Sequence, residues 1–425
     1  MKVLVIGNGG REHALAWKLL QSEKINKLVC VPGNGGTATL PGCENLPLAV
    51  DDFAGISEYA INHGISLVVV GPEVPLAQGI TDYLQNQGLM VFGPNKAGAQ
   101  IEASKAWAKA LMEEAGVPTA KAAVFTEATS AKAYIQSQGA PIVIKADGLA
   151  AGKGVIVAET IAQAEEAIEA IFQGQFGSAG SSVVIEECLV GQEVSVLALT
   201  DGLTIRPLLP AQDHKRVGEG DTGENTGGMG AYAPAPIATP QLMARVQTEV
   251  LERTITALQS RGIDYRGILY AGLMISPDGD FRVLEFNCRF GDPETQVILP
   301  MLETPLEDLI LACIEQRLGD MPPIAWKQGA AATVVAAAGG YPGEYAKGQV
   351  ITGFEAAQTA GATVFHAGTR LNAAQEVVTD GGRVLNVTGL GEDFQAALAQ
   401  AYAGIDKIQF DQMYYRRDIG YRVLG

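Results

Sequence analysis

The sequence has few cysteines, and their spacing excludes the common zinc motifs. None of the five forms a C-x-x-C pair: they are Cys30, Cys43, Cys188, Cys288 and Cys313. No secretory signal pattern opens the sequence, so we expect reduced thiols in a cytoplasmic protein. No apolar run approaches the roughly 20 residues that a membrane span requires. The sequence therefore predicts no membrane partner.

Basic residues are also in deficit. The chain has 30 Lys and Arg against 47 Asp and Glu, which gives a net charge of −17. This balance argues against general nucleic-acid binding, although a local basic cluster can still hold a small anionic substrate. With 425 residues, 47% of them hydrophobic and 18% charged, the chain is too long for one core and predicts two to four globular domains.

Two familiar nucleotide-binding motifs are missing. The order G-x-x-x-x-G-K-[ST] does not occur, and Glu12 stands where a dinucleotide fingerprint requires a third Gly or Ala. An NAD site is therefore disfavoured. Residues 2–12 still predict a strand, a glycine turn and a helix, whose free backbone N–H groups attract a phosphate. A tight turn that only packs the helix against the sheet is equally favoured by this segment alone.

Four short apolar segments near the N-terminus each end in glycine or proline. They span residues 2–6, 28–31, 67–70 and 89–92. Their alternation with helical segments predicts an α/β domain with a doubly wound parallel sheet. Such sheets bind ligands beyond the carboxyl ends of their strands, where these breaks fall. Glu73 follows the third segment and adds a carboxylate to that crevice.

A glycine-rich hairpin is predicted further along the chain. A strand at 140–145 leads into the loop 146–154, and a second strand follows at 155–158. Such a flap can close over phosphates while Lys145 and Lys153 neutralise their charge. A hairpin loop that is only a turn is the alternative.

Residues 281–287 alternate apolar and polar side chains, which is the period of a half-buried strand. Glu285 and Asn287 therefore point to the same face, and oxygens of these two kinds suit Mg²⁺. Arg289 follows with a fork of donors for a carboxylate or phosphate. Taken alone, a solvated strand face with an incidental ion pair is equally favoured.

Other segments give weaker signals. The turn at 186–193 predicts an adenine slot in which Glu193 accepts hydrogen bonds from ribose, with an acidic solvent turn as the alternative. The polar, glycine-rich residues 211–230 predict a long loop without regular structure, a kind that is usually functional or mobile. A single helix is predicted over 97–116. The region after residue 330 predicts strands and a helix that form mostly a structural cap.

Five segments, taken in order, carry a family resemblance: residues 7–13, 71–73, 144–154, 212–216 and 284–294. Together they resemble the phosphoribosylamine–glycine ligase family of the ATP-grasp superfamily. The resemblance implies an N-terminal substrate-binding domain (1–103), an ATP-grasp domain (104–325) and a small α+β C-terminal domain (326–425). It divides the ATP-grasp domain into a mobile small lobe (about 118–190) and a central lobe (about 191–325).

The resemblance also implies residue roles. Contacts with ATP are implied for Lys105, Lys145, Lys153, Glu186, Glu187, Leu189 and Glu193. Contacts with the other substrates are implied for Gly9, Gly10, Arg11, Glu12, Glu73, Asp213, Lys215 and Arg289. Direct catalytic roles are implied for Arg289, Lys145 and Asp213. Glu285 and Asn287 are implied to hold Mg²⁺ or Mn²⁺. Residues 271–275 lack the additional acidic ligand that many ATP-grasp enzymes carry there, as expected for this ligase family.

The chemistry agrees with the implied reaction, in which ATP, glycine and 5-phospho-β-D-ribosylamine give glycinamide ribonucleotide, ADP and phosphate. An unactivated carboxylate does not condense with an amine in water, and phosphoryl transfer needs positioning and charge neutralisation rather than a side-chain nucleophile. We expect a monomer whose partners are small molecules. The alternatives are an ATP-grasp enzyme for another acid or amine, such as a carboxylase-type relative, and a nucleotide sensor without catalysis.

Overall fold

A parallel sheet forms the N-terminal part of the chain, as predicted. The structure is a computed structural model and describes residues 1–149, 154–175 and 177–424. The sheet has the order β3-β2-β1-β4-β5. The elements of this part are β1 (Lys2–Gly7), α1 (Gly10–Leu19), β2 (Lys27–Pro32), β3 (Cys43–Asn45), α2 (Phe53–His63), β4 (Leu67–Val70), α3 (Glu73–Gln78), α4 (Ile80–Asn86) and β5 (Val91–Phe92). The edge strand β3 was not predicted from the sequence.

The predicted helix over 97–116 is two helices. They are α5 (Gln100–Ala103) and α6 (Lys105–Ala115), and Ser104 between them is extended, with a φ of −135°. The Ser104 side chain accepts a hydrogen bond from the backbone N–H of Trp107 and so caps α6. The prediction of one helix was wrong because the apolar period continues through Ser104, while its hydroxyl favours a new helix start.

A second, antiparallel sheet forms the small lobe, with the order β6-β9-β7-β8. Its elements are β6 (Ala122–Phe125), α7 (Ala128–Gln138), β7 (Ile142–Ala146), β8 (Val155–Ala158), α8 (Ile161–Phe172) and β9 (Val183–Glu187). Helix α8 buries a stripe that includes Ala164, Ile168 and Ile171, at the spacing of one helix face. Strands β7 and β8 pair antiparallel, as predicted for the two strands of the flap, whose loop residues 150–153 lie outside the described residues.

The central part contains a second antiparallel sheet, with the order β11-β10-β16-β17. The elements of this part are β10 (Gln192–Thr200), β11 (Ile205–Pro207), β12 (Gln212–Asp213), β13 (Arg216–Gly218), β14 (Thr222–Asn225), β15 (Gly230–Ala233), α9 (Pro240–Val246), α10 (Glu252–Ser260), β16 (Gly267–Ile275), β17 (Phe281–Asn287), α11 (Thr295–Met301) and α12 (Leu306–Ile314). A π-helical turn joins α9 to α10. Pro300 lies inside α11, and the separate helix α12 begins at Leu306.

The expectation of a structureless loop over 211–230 was wrong. Strands β12 and β15 pair with each other, and β15 pairs with a strand of the C-terminal part, which places Gly230 opposite Val334. Strands β13 and β14 form a hairpin. These short, glycine-rich strands lack a hydrophobic alternation of their own, so only their pairing partners define them.

The C-terminal part completes a five-stranded sheet with the order β12-β15-β18-β22-β19. Its own elements are β18 (Ala330–Ala337), α13 (Phe354–Thr359), β19 (Thr363–His366), β20 (Thr369–Leu371), β21 (Val377–Thr379), β22 (Arg383–Gly391) and α14 (Phe394–Ile405). Within the described residues, no helix is both long enough and apolar enough to cross a membrane.

Candidate active site

One cavity of about 580 Å³ lies between these sheets and is lined by residues from the N-terminal sheet, both lobes and β22. Almost all of the residues predicted from the sequence line it: Gly9, Arg11, Glu12, Glu73, Lys105, Lys145, Glu186, Glu187, Leu189, Glu193, Asp213, Lys215, Glu285, Asn287 and Arg289. Gly10 does not line the cavity; it packs against the side chains of Asn386 and Gln296. Lys153 lies outside the described residues.

Two buried lysines share one carboxylate at one end of the cavity. Lys145 Nζ lies 2.9 Å from Glu186 Oε2, and Lys109 Nζ lies 3.2 Å from Glu186 Oε1. Strand register produces this arrangement, because β7 and β9 are neighbours and their side chains share a face. Lys145 also donates to the carbonyl of Leu284 at 3.1 Å. Burial lowers the pKa of Lys109, and Glu186 offsets part of this effect. The cluster keeps a net positive charge facing the cavity.

The start of α6 is tied to the base of the flap. Lys105 Nζ donates to the carbonyl oxygen of Gly148 at 2.8 Å. The carboxylate of Asp147 accepts from the Ser104 hydroxyl at 3.1 Å and from the Ala106 backbone N–H at 3.2 Å. Burial lowers the pKa of Lys105, whereas Glu285 acts in the opposite direction. The flap and α6 therefore meet beside Lys105 and Lys145, the two lysines predicted to contact the phosphates of ATP.

Strand β17 presents the two predicted metal ligands to the cavity. A β-bulge opposite Gly272 and Leu273 interrupts the pairing of β16 with β17. Among the described residues, no hydrogen bond or ion pair occupies the carboxylate of Glu285, and Asn287 Oδ1 accepts only from Arg289 Nη2 at 3.3 Å. Two oxygen donors with free coordination capacity fit Mg²⁺, which takes its remaining ligands from phosphate and water. Within the described residues, no cluster of three His, Cys, Asp or Glu side chains forms a larger metal site.

Arg289 is held by two carboxylates. Its Nη2 lies 2.8 Å from Glu102 Oε1, and its Nε lies 3.3 Å from Glu73 Oε2. Burial alone would lower the pKa of Arg289, but Glu102 and Glu73 raise it well above its usual value. The guanidinium is therefore charged and fixed in orientation beside the metal-ligand strand.

The glycine turn after β1 differs from its prediction. Its backbone N–H groups were expected to be free, but Gly9 N donates to Glu12 Oε2 at 2.7 Å, and Arg11 N donates to Asp292 Oδ2 at 3.0 Å. Through the bond with Gly9, the Glu12 side chain caps the start of α1, the helix to which it belongs. Gly71 leaves room for this side chain, because a Cβ atom at position 71 would lie 2.0 Å from Glu12 Oε1. Arg11 Nη1 donates to the carbonyl of Phe290 at 3.1 Å. The side chains of Arg11 and Glu12 therefore line the cavity, whereas the backbone N–H groups of Gly9 and Arg11 are already hydrogen-bonded within the protein.

Asp213 and Lys215 form an ion pair and both line the cavity. Lys215 Nζ is 3.0 Å from Asp213 Oδ2 and 3.2 Å from Glu193 Oε2. Burial would lower the pKa of Lys215, but Asp213 and Glu193 raise it well above its usual value. Glu193 therefore contacts a lysine on the substrate side, in addition to lining the predicted adenosine slot.

Several residues that line or support the cavity were missed from the sequence. They are Lys109, Glu102, Asp292, Glu294, Ser195, Tyr270 and Arg383. Glu294 Oε1 accepts from the hydroxyls of Ser195 and Tyr270, each at 2.9 Å. Asp292 and Glu294 belong to the segment 284–294 that carried the resemblance, so the signal for them was present. No sequence signal pointed to Glu102.

Arg383 corrects the prediction that the C-terminal part is mostly a structural cap. Its Nη2 lies 3.2 Å from Asp292 Oδ1, and its Nη1 donates to the carbonyls of Gly227 and Asp292 at 2.8 and 2.9 Å. The side chain also lines the cavity. A single basic residue at the start of β22 gives no clustered signal, which explains why the sequence missed it.

Comparison with known proteins decides the family. Three family models match in order, and they describe the N domain (1–102), the ATP-grasp (A) domain (103–295) and the C domain (331–422) of phosphoribosylglycinamide synthetase. A Nostoc sp. protein named phosphoribosylamine–glycine ligase is 81% identical over 423 residues, with 100% of both chains covered. The chain belongs to the phosphoribosylamine–glycine ligase family. A family member from Synechocystis sp. with the same name is 59% identical, again with 100% of both chains covered.

Solved structures agree with this family. The phosphoribosylamine–glycine ligase of Thermotoga maritima has a TM-score of 0.85 at 34% identity, and the match covers 99% of this chain and 100% of that chain. The biotin carboxylase domain of 2-oxoglutarate carboxylase from Hydrogenobacter thermophilus has a TM-score of 0.73 at 16% identity, covering 97% and 91%. This second similarity shows the fold alone. The predicted ATP-grasp fold and ligase class are confirmed, and the family implies use of ATP and of a divalent metal.

Proposed function

We propose that this chain joins glycine to 5-phospho-β-D-ribosylamine at the expense of ATP. The products are glycinamide ribonucleotide, ADP and phosphate, and the reaction belongs to de novo purine biosynthesis. Family membership and one observation support this proposal. A single cavity connects the buried lysine cluster around Glu186 with the glycine turn at Gly9 and Arg11.

The two ends of this cavity have different roles in the proposal. The nucleotide end consists of the lysine cluster, the predicted adenosine contacts Glu186, Glu187, Leu189 and Glu193, and the metal ligands. Lys105 and Lys145 neutralise phosphate charge there. The substrate end consists of Gly9, Arg11, Glu12, Glu73, Asp213, Lys215 and Arg383. Arg289 lies between the two ends, because Glu73 and Asn287 both contact it.

Glu285 and Asn287 would hold Mg²⁺ or Mn²⁺ in this proposal. When bound, the ion draws charge from the triphosphate oxygens and brings them into line for transfer. The residues fit this task because, among the described residues, the Glu285 carboxylate accepts no hydrogen bond, and Lys105 and Lys145 line the same cavity.

The chemistry proceeds in two displacements. A carboxylate oxygen of glycine attacks the γ-phosphorus of ATP, the bond to the β-phosphate oxygen breaks, and ADP leaves. The sugar amine then attacks the acyl carbon, phosphate departs with the transferred oxygen, and the nitrogen loses a proton. Lys145 and Arg289 stabilise the charge that moves onto oxygen, and Asp213 and Lys215 orient the reacting groups.

Water must be excluded because an acyl phosphate hydrolyses readily. We propose that the flap, tied to α6 through Gly148, and the segment 214–230 close around the bound substrates before transfer. Limited proteolysis tests this step: both segments should be protected by ATP with glycine. Equal cleavage with and without the ligands contradicts closure.

The remaining assignments follow from composition and family. We propose a cytoplasmic monomer whose partners are small molecules, with no nucleic acid or membrane partner. The net charge of −17 supports the absence of nucleic acid. Sedimentation of the purified chain, with and without ATP, tests the oligomeric state.

One labelling experiment tests the function and the intermediate together. Purified protein is incubated with ATP, Mg²⁺, phosphoribosylamine and glycine that carries ¹⁸O in its carboxylate. We expect ADP release that requires glycine and Mg²⁺, glycinamide ribonucleotide by mass spectrometry only when the amine is also present, and one ¹⁸O atom in the released phosphate. ADP release that does not depend on glycine, or no glycinamide ribonucleotide from the complete mixture, contradicts the function, and unlabelled phosphate contradicts the glycyl phosphate intermediate.

A further inference from the structure

The chain ends in a segment that is bonded along its length to the hairpin β13–β14. The Tyr414 hydroxyl donates to the carbonyl of Val217 at 2.8 Å, and the backbone N–H of Arg417 donates to Glu219 at 3.1 Å. In the opposite direction, the backbone N–H of Gly220 donates to the carboxylate of Asp418 at 2.8 Å. We name this segment, residues 414–422, the C-terminal latch.

Asp221 is the centre of the contact. Its carboxylate accepts from Arg416 Nη1 at 2.9 Å, from the Tyr421 hydroxyl at 2.8 Å and from Arg422 Nη2. Arg416 is fully buried and also donates to the carbonyl of Arg216 at 3.0 Å and to Asp418 at 2.7 Å. Asp221 itself has a left-handed φ of 55°, a conformation that is uncommon outside glycine but that aspartate and asparagine adopt more readily than most residues.

His214 connects this centre to the cavity. Its Nε2 accepts from the backbone N–H of Gly420 at 3.0 Å, so the neutral ring carries its proton on Nδ1, which lies 3.7 Å from Asp221 Oδ1. The ring is fully buried. Its chain neighbours Asp213 and Lys215 both line the cavity, and Arg422 also donates to the carbonyl of Asp213 at 3.4 Å.

The hairpin has little order of its own. It has two short strands with an irregular register, and the whole of β14 is exposed. An isolated two-stranded hairpin is marginally stable at best in water. The latch supplies partly buried, charge-assisted hydrogen bonds that such a hairpin lacks.

We propose that the C-terminal latch positions Asp213 and Lys215 for the substrates, with Asp221 and His214 as positioning residues that touch no substrate themselves. The effect of the latch on KM values rests on the proposed function, because it assumes that glycine and phosphoribosylamine are the substrates. Lys105, Lys145, Glu186 and Glu285 of the nucleotide end lie on α6, β7, β9 and β17, and no hydrogen bond or ion pair among the described residues joins these elements to the latch. Glu193 of the same end does contact Lys215, at 3.2 Å. Loosening the latch therefore weakens binding of glycine or phosphoribosylamine much more than binding of ATP.

The variant Asp221→Asn removes the charge at the centre and keeps the size of the side chain. We expect the KM for glycine or phosphoribosylamine to rise about tenfold, the cost of one weakened charge-assisted bond, with the KM for ATP within about twofold. The matched control is Asp380→Asn, which removes a partly exposed carboxylate near Lys347 and Arg370 in the C-terminal part of the chain. The control should leave all three KM values unchanged. Equal changes for all three substrates in Asp221→Asn overturn the proposal.

Amide hydrogen exchange tests the latch independently of the proposed ligase activity. In Asp221→Asn, amides in 214–230 should exchange at least about tenfold faster, while amides in 142–146 of β7 should not change. Unchanged exchange in 214–230 overturns the latch even if the chain proves to have another activity. If Asp221→Asn does not fold, Tyr421→Phe removes one of the same bonds from an exposed ring, and the same two exchange results then decide the matter.

Discussion

The nucleotide end and the substrate end of the cavity are built in different ways. At the nucleotide end, Lys145 and Glu186 come from neighbouring strands of one sheet, and Glu285 and Asn287 come from a single strand. At the substrate end, the groups come from the turn after β1, the segment 213–215 and β22. An end made of neighbouring strands follows from local sequence, whereas an end collected from distant segments depends on how sheets pack. The two ends should therefore respond differently to mutation.

The largest effect is expected at the metal ligands. Glu285→Ala should lower kcat by about 10³-fold, because it removes the carboxylate proposed to hold the ion that neutralises the triphosphate. Steady-state ADP release over a range of Mg²⁺ concentrations measures the loss. Asp278→Asn is the control, since this exposed carboxylate lies in the turn just before the same strand. Activity of Glu285→Ala within about fivefold of the unchanged chain would refute the metal role.

Lys145→Ala should lower kcat by about 10²-fold, since one buried cation beside the phosphates is lost. The variant also leaves Glu186 paired with Lys109 alone. The control is Lys132 on α7, a partly buried lysine of the small lobe that pairs with Glu169 and does not line the cavity. Lys132→Ala should have no effect on kcat. Single-turnover measurements separate the phosphoryl transfer from product release. A normal transfer rate in Lys145→Ala would remove this residue from the mechanism.

The junction beneath the substrate end should be sensitive to acid. Burial lowers the pKa of His366 to about 4, and its backbone N–H donates to His13 Nδ1 at 2.8 Å. Because the folded chain holds His366 neutral while the unfolded chain protonates it near pH 6.5, its contribution to stability is complete above pH 6.5. This contribution falls as the pH drops towards 4, by about 2 kcal/mol at pH 5.

Urea unfolding at pH 7.5 and pH 5 measures this difference. The variant His366→Phe should show a smaller loss of unfolding free energy between the two pH values than the unchanged chain. His63→Gln is the control, because its ring is exposed and stacks on Tyr59 at the surface. The same pH dependence in all three proteins would show that His366 does not titrate in this way.

The smallest effect is expected at the substrate end itself. Arg383→Gln should raise the KM for phosphoribosylamine about tenfold and leave the KM for ATP unchanged, because Arg383 lines only the end near Asp292. Arg370→Gln, an exposed arginine near Asp380, is the control. A rise in the KM for ATP would break the distinction between the two ends.

Sequence reasoning was most successful where a motif lies within one strand or one hairpin. The spacing of Glu285 and Asn287 by two residues predicted that they share a face, and both line the cavity, although a β-bulge interrupts the alternation before Glu285. It failed at Ser104, where one hydroxyl ends a helix that the apolar period continues. It also failed at Gly9 and Arg11, whose N–H groups it left free, because the Gly9 N–H donates to the side chain of Glu12 and the Arg11 N–H donates to Asp292, 281 residues away along the chain.

By itself, the sequence determined the parallel N-terminal sheet, the flap hairpin and the metal-ligand strand, because each follows from a short-range period and its breaks. Packing alone decided that Glu102 and Glu73 fix Arg289, that β15 joins the C-terminal sheet and that residues 414–422 hold the hairpin beside Lys215. The physical reason is that an ion pair or an edge pairing between distant segments leaves no periodic trace in either segment. Such an interaction stabilises the protein only when folding brings the two segments into contact.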